Sequence, residues 1–150
     1  AEKKQKSPNI EALLKDETVE KLFHYARFDL AVLMRDISPV LGPIYCTKIA
    51  SKLARTYSDR HGLKELCSEL LSIELSKQQQ SSDWGSEVLS EAQKNYAASD
   101  VLFLHRLKVK LSEQLRREGR LEIAQHCFDF LAHRVALDLA GFEDLDIFHH

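Results

Sequence analysis

The stretch LSEAQKNYAASDVLFLHRL places a phenol, Tyr96, four residues before a carboxylate, Asp100. Four residues is about one helical turn, so in a helix the two side chains share a face. A proton-bearing hydroxyl and a charged oxygen acceptor could then serve one point in space. A second carboxylate, Asp29 in FHYARFDLAVL, stands where a short β-rich run gives way to helical periodicity. In α/β folds the carboxyl end of a strand and the start of the next helix commonly shape a site. Each pattern also has a plainer meaning. Soluble helices often pair a half-buried tyrosine with a solvated aspartate, and the helix dipole favours an aspartate in a first turn.

The elements that must hold these residues follow from periodicity. Ser90 with Gln93 three residues on makes a capping box, which predicts a helix starting near Ser90. Ala97, Val101, Leu104, Leu111 and Leu115 continue it at helical steps, and Gly119 is a natural stop. Upstream, SPNIEALLKD predicts a short helix with Ser7 as cap and Pro8 at its first position. TVEKLFHYA predicts a buried strand over about Val19 to Tyr25, and RFDLAVLMRDI then turns helical with Phe28, Ala31, Val32 and Leu33 inward. After the turn residues SPVLGP, IYCTK predicts a second strand and IASKLARTY a second helix. GLKELCSELLSIEL predicts a further helix with Leu63, Leu66, Cys67, Leu70 and Leu71 in register, and SKQQQSSDWGS a polar connector. Beyond Gly119, RLEIAQHCFDFLAHRVALDLAGF predicts one or two helices and then an acidic tail. Two strands divided by a helix, in a mainly helical chain, indicate an α/β domain with a small or incomplete sheet.

Composition narrows the classes. The chain has 150 residues, 44% hydrophobic and 29% charged, which is one globular domain's worth and neither disordered nor fibrous. No apolar run approaches the ~20 residues of a membrane span, and the basic start AEKKQKSPN has no hydrophobic segment behind it. A cytoplasmic protein with no membrane partner is the expectation. The three cysteines, Cys46, Cys67 and Cys127, are odd in number, far apart and in apolar surroundings, as reduced core residues are. The formal net charge of -2 means that nucleic-acid affinity would have to come from a local patch. One candidate runs from Lys48 to Lys64, where Lys48, Lys52, Arg55, Arg60 and Lys64 outweigh Asp59, a surplus that could face phosphates or form a solvated helix side. His126 and His133 lie two turns apart with no third ligand nearby, which argues against zinc. No nucleophile-elbow pattern surrounds any serine.

Together, FHYARFDLAVL and YAASDVLFLHRL resemble the second and third motifs of the ribonuclease D family, in the DEDD superfamily of 3′-to-5′ exonucleases. YCTKIASKLA, HGLKELCSELLSIELSK, SSDW and LSEAQKNYAASDV occur in the family's order, so the resemblance spans about residues 18 to 115. It implies a ribonuclease H-like exonuclease fold, with residues 1–118 as the C-terminal part of the exonuclease domain and 119–150 as a helical extension packed on it. It also implies hydrolysis of phosphodiester bonds at RNA 3′ ends, with single-stranded DNA possible, by two divalent cations, Mg2+ or Mn2+. Asp29 and Asp100 match two of the metal ligands, and Tyr96 matches the tyrosine that orients or helps deprotonate the attacking water. His24, just before the Asp29 helix, could reach substrate or could be hydrogen-bonded structure, and Trp84 could stack on a base or cap the core.

The chain departs from the family pattern in one place that matters. The first family motif, an Asp-x-Glu on an N-terminal strand, supplies the other two metal ligands, and no Asp-x-Glu occurs anywhere in these 150 residues. The opening AEKKQKSPNIEALL corresponds to the stretch after the first three family strands. The expectation is therefore an exonuclease piece whose N-terminal strands are missing, inactive on its own. The alternative is a non-catalytic helical module that keeps the scaffold to bind RNA or protein. Cys46 is a lesser departure, standing where relatives often carry an aspartate outside the ligand set.

Overall fold

The computed structural model describes residues 8–75 and 91–150, with side chains from residue 103 onward in the second stretch. Its elements run in chain order as α1 (Pro8–Lys15), β1 (Lys21–Phe23), α2 (Ala26–Asp36), β2 (Ile44–Cys46), α3 (Thr47–Ala54) and α4 (Leu63–Leu71). They continue with α5 (Glu91–Arg117), α6 (Leu121–Leu137) and a π-helical turn, Asp138–Phe142. This is the mainly helical chain with a small sheet that the periodicity predicts.

β1 and β2 pair in parallel, Lys21 opposite Ile44, Leu22 opposite Tyr45 and Phe23 opposite Cys46. Parallel strands need a crossover, and α2 provides it. All three residues of β2 are buried, so it reads as a continuous apolar run, as a strand covered on both faces does. The turn into β2 depends on Gly42, whose φ is +85° and where a Cβ would come within 2.8 Å of the Glu17 backbone. No L side chain fits there without moving the main chain.

The helices close on this sheet. α5 packs on α3, α4, β1 and α6, and α6 packs on α2, α3 and β2. Leu30, Leu66, Leu107, Leu111, Leu115, Phe128 and Val135 are at most 1% exposed. Burying one such side chain is worth about 1.5–3 kcal/mol, so this shared core outweighs the weak local propensity of the short strands. α5 ends as Gly119 predicts: Arg120 N–H donates to Leu115 O at 2.8 Å and Gly119 N–H to Arg116 O at 3.1 Å, the Schellman pairing that an αL glycine permits.

Two expectations need correction. On α2, Ala26 and Leu30 are the buried residues, while Phe28 is 61% exposed and Ala31, Val32 and Leu33 are half-buried. The buried stripe runs through Ala26 and Leu30, four residues apart, and Phe28 stands about 200° round from Ala26 on the other side of the helix. The basic patch is also not one surface. Arg55 is wholly buried, donates to Ser51 Oγ at 2.9 Å and Arg60 O at 2.6 Å, and is ion-paired with Glu69. A buried guanidinium needs such partners. The cysteines are free, Cys46 and Cys67 buried and Cys127 half-buried. Among the described residues no helix is long and apolar enough to cross a membrane.

Candidate active site

β1 ends at Phe23 and two residues later the backbone reverses into α2. The reversal passes through Tyr25, a non-glycine residue in the left-handed region at φ 66°, ψ 54°. Such a conformation costs about 1–3 kcal/mol and persists only where the surroundings impose it. Here Ala26 N–H meets Cys46 Sγ at 3.4 Å, and Lys48 Nζ stands 4.2 Å from the centroid of the exposed Tyr25 ring. The Tyr25 carbonyl accepts from Phe28 N–H at 3.1 Å and starts the helix. Asp29 is thereby held, half-buried, in the first turn of α2 at the carboxyl end of β1.

His24 helps to fix the same turn. Its Nδ1 is 2.9 Å from Thr47 Oγ1, and the Thr47 hydroxyl donates to Phe23 O at 3.2 Å. Burial, with Lys48 nearby, pushes its pKa down to about 4, so the ring is neutral at pH 7. His24 thus ties β1 to the start of α3. Those bonds face the fold, whereas the reading from sequence considered a reach towards substrate.

α5 carries the other two candidates. Tyr96 and Asp100 fall within the helix Glu91–Arg117, one turn apart as the spacing predicts. Their side chains lie outside the described residues, as does Trp84 altogether. The helix lies against β1, and Leu104, one turn after Asp100, shares a cavity wall with Leu22 and Phe23. The strand that leads to Asp29 is therefore also the strand that α5 covers just beyond Asp100.

Among the described residues no group of three or more His, Cys, Asp or Glu comes together to hold a metal. Asp29 supplies one carboxylate, a hard oxygen donor of the type magnesium and manganese prefer. Such donors fit a divalent cation, and a full octahedral set needs contributions beyond α2.

Reasoning from sequence missed the features that fasten α2 from outside. Arg27 Nε and Nη2 donate to the Asp138 carboxylate at 2.7 and 2.6 Å, and Nη2 also donates to Glu143 O at 2.9 Å. Arg134 Nη1 lies 3.3 Å from the same carboxylate. These guanidinium bonds hold the Asp138 carboxyl below its ordinary pKa. No local pattern signals a pair so far apart in sequence.

Comparison with known proteins adds the family. A family model described as 3′-5′ exonuclease matches residues 1–116. Ribonuclease D of Gluconacetobacter diazotrophicus is 37% identical over 110 residues, 73% of this chain and 28% of its own. The chain thus spans little more than a quarter of the curated relatives that it matches at this level. Brucella melitensis NrnC with bound Mg2+ superposes with a TM-score of 0.90 at 56% identity, covering 98% of this chain and 71% of that one. The same Brucella protein bound to pGG superposes with a TM-score of 0.89 at 59% identity, covering 97% and 70%.

Proposed function

Because the chain belongs to the 3′-5′ exonuclease family, as a ribonuclease D-like member of the DEDD group, we propose that it hydrolyses phosphodiester bonds from the 3′ ends of RNA. The observation that carries this reading is that Asp29 and the Tyr96/Asp100 pair all fall inside the family match, residues 1–116. The strand-to-helix position of Asp29 supports it, being the usual place for a site in a parallel sheet.

On this reading Asp29 and Asp100 supply oxygen donors for divalent cations, Mg2+ or Mn2+. Such cations, when bound, stabilise charge developing on the phosphodiester and lower the pKa of water. The Tyr96 hydroxyl orients the attacking water and helps to take its proton. The Mg2+ bound by Brucella NrnC favours magnesium, and its binding of pGG favours short oligonucleotides among the substrates. Two ions need more than two carboxylates, and the 150 residues contain no Asp-x-Glu. Cleavage is therefore proposed for this chain together with a segment that bears that motif. In that assembly residues 1–118 act as the C-terminal part of the exonuclease domain and residues 119–150 as its helical extension.

The test is Asp100→Ala, with Asp29→Ala beside it, in the protein that includes an Asp-x-Glu segment. Release of label from a 3′-labelled single-stranded RNA in Mg2+ or Mn2+ is expected to fall to background in both variants, with circular dichroism unchanged. Undiminished release would remove the metal-ligand assignment.

A further inference from the structure

A cavity of about 510 Å3 opens at the turn from β1 into α2, lined among others by Tyr25, Arg27, Cys46, Lys48, Lys52 and Arg134. Tyr25 follows β1 and Cys46 is the last residue of β2, so the cavity stands at the carboxyl ends of both parallel strands, where open α/β sheets take their ligands. Four cationic side chains line it and, among the described residues, no carboxylate does. Asp138, just outside, pairs with Arg27 and Arg134. With Asp144 also acting on Arg27, two carboxylates stand against four cations, and the excess of positive charge falls on Lys48 and Lys52.

These cations are also held in place. Arg27 and Arg134 share Asp138 and bond the carbonyl of Glu143. Lys48 rests against the Tyr25 ring. Pre-set guanidinium and ammonium groups around a concave wall favour phosphate oxygens. The rim adds aromatic faces: Tyr25 and Phe28 are 48% and 61% exposed, and their rings stack 6.1 Å apart at 20°. Exposed rings beside a cationic groove are the combination on which single-stranded nucleic acid binds, bases on the rings and phosphates on the cations.

We propose that this cavity is a backbone-phosphate subsite for single-stranded RNA, with Lys48 and Lys52 as its replaceable cations and Tyr25 and Phe28 as the stacking rim. It rests on the reading of the chain as an RNA-binding nuclease. A phosphate bound here belongs to the strand that leads to the 3′ end cut beside Asp29, which lies four residues past Tyr25.

The experiment measures binding without cleavage. A fluorescein-labelled oligouridylate is titrated into the full chain in EDTA at several salt concentrations. Lys48→Gln/Lys52→Gln, Lys52→Gln alone and Lys110→Gln are compared, Lys110 being exposed on α5 and outside the cavity lining. Each lost phosphate contact on single-stranded nucleic acid lowers the slope of log K against log salt by about 0.7. The double variant is expected to lose about 0.7 to 1.4 of slope and to bind about 10-fold more weakly near 0.1 M salt. Lys52→Gln should lose about half of that, and Lys110→Gln nothing. Inorganic phosphate should compete weakly and less so in the double variant. An unchanged slope, or an equal loss in Lys110→Gln, overturns the subsite. So does a result in which the double variant loses inorganic phosphate but keeps RNA, which would make the cavity a free-anion site. Because no divalent cation is present, these outcomes are independent of whether Asp29 and Asp100 support cleavage.

Discussion

Asp138 gives the C-terminal segment an ionic grip on α2 beside the packing of α6, and replacing it should measure that grip. Its carboxylate accepts two hydrogen bonds from Arg27 at 2.7 and 2.6 Å and lies 3.3 Å from Arg134 Nη1. A hydrogen bond to a charged group contributes about 1.5–3 kcal/mol when well buried. The Asp138 side chain is 11% exposed but that of Arg27 is 40% exposed, so water recovers part of the loss and the pair stands between surface and buried cases. Asp138→Asn should then cost about 2 kcal/mol. With a urea slope of about 2 kcal/mol per molar, the unfolding midpoint should fall by about 1 M. A double-mutant cycle with Arg27→Ala should return about 1 kcal/mol or more of coupling at pH 7. The sign of the pH dependence follows from the Asp138 carboxyl, which the Arg27 hydrogen bonds hold below its usual value. A carboxyl whose folded pKa is depressed stabilises above its unfolded value near 4 and loses that contribution as pH falls through the folded value. The gap between wild type and Asp138→Asn should therefore close below about pH 4. A coupling under about 0.3 kcal/mol at pH 7, or a gap independent of pH, would refute the clamp.

Two further outcomes are expected. His24, with its pKa pushed down to about 4 mainly by burial, binds a proton more readily unfolded than folded. Stability should therefore fall as pH drops from about 6.5 to 4, and urea midpoints of His24→Gln should show a flatter profile over that range. In the cleavage-competent protein, Tyr96→Phe should slow single-turnover RNA hydrolysis by about 10²-fold, the scale of a positioned acid-base group, with the melting curve little changed. A rate within about twofold of wild type would reduce Tyr96 to packing.

What could be read in the sequence was what repeats or sits locally. The leucines at helical steps in α5 and the glycine after it set that helix correctly, because the stripe and the αL stop are properties of neighbouring residues. Both strands were found a little long, since only the three residues that pair across the sheet stay extended. The face of α2 was misjudged because its start depends on Tyr25 entering the left-handed region, which the Cys46 sulfur and the Lys48 side chain accompany from the far side of the crossover. Nothing in FHYARFDLAVL signals a left-handed tyrosine.

The same reasoning separates the candidate residues by kind. Asp29, Tyr96 and Asp100 stand out in the sequence because the motifs that they match set particular side chains at a fixed spacing, and the roles proposed for them rest on that match. Arg27, two residues before Asp29, has no such signature, and its meaning emerges only when Asp138 arrives 111 positions later. Arg55 shows the converse, since in sequence it is one of five cations in a basic run and in the fold it is a buried brace ion-paired with Glu69. Once Arg55 turns inward, the run no longer makes one positive face. Lys48 and Lys52 go to the cavity at the strand ends, while Arg60 and Lys64 face Glu65, Glu69 and Glu74 across another. Opposed carboxylates leave that second cavity little field for an anion, whereas the first keeps an excess of positive charge at the turn into α2. Which of these cations can meet a phosphate is thus decided by where the crossover and the C-terminal segment place carboxylates, not by where lysine and arginine cluster along the chain.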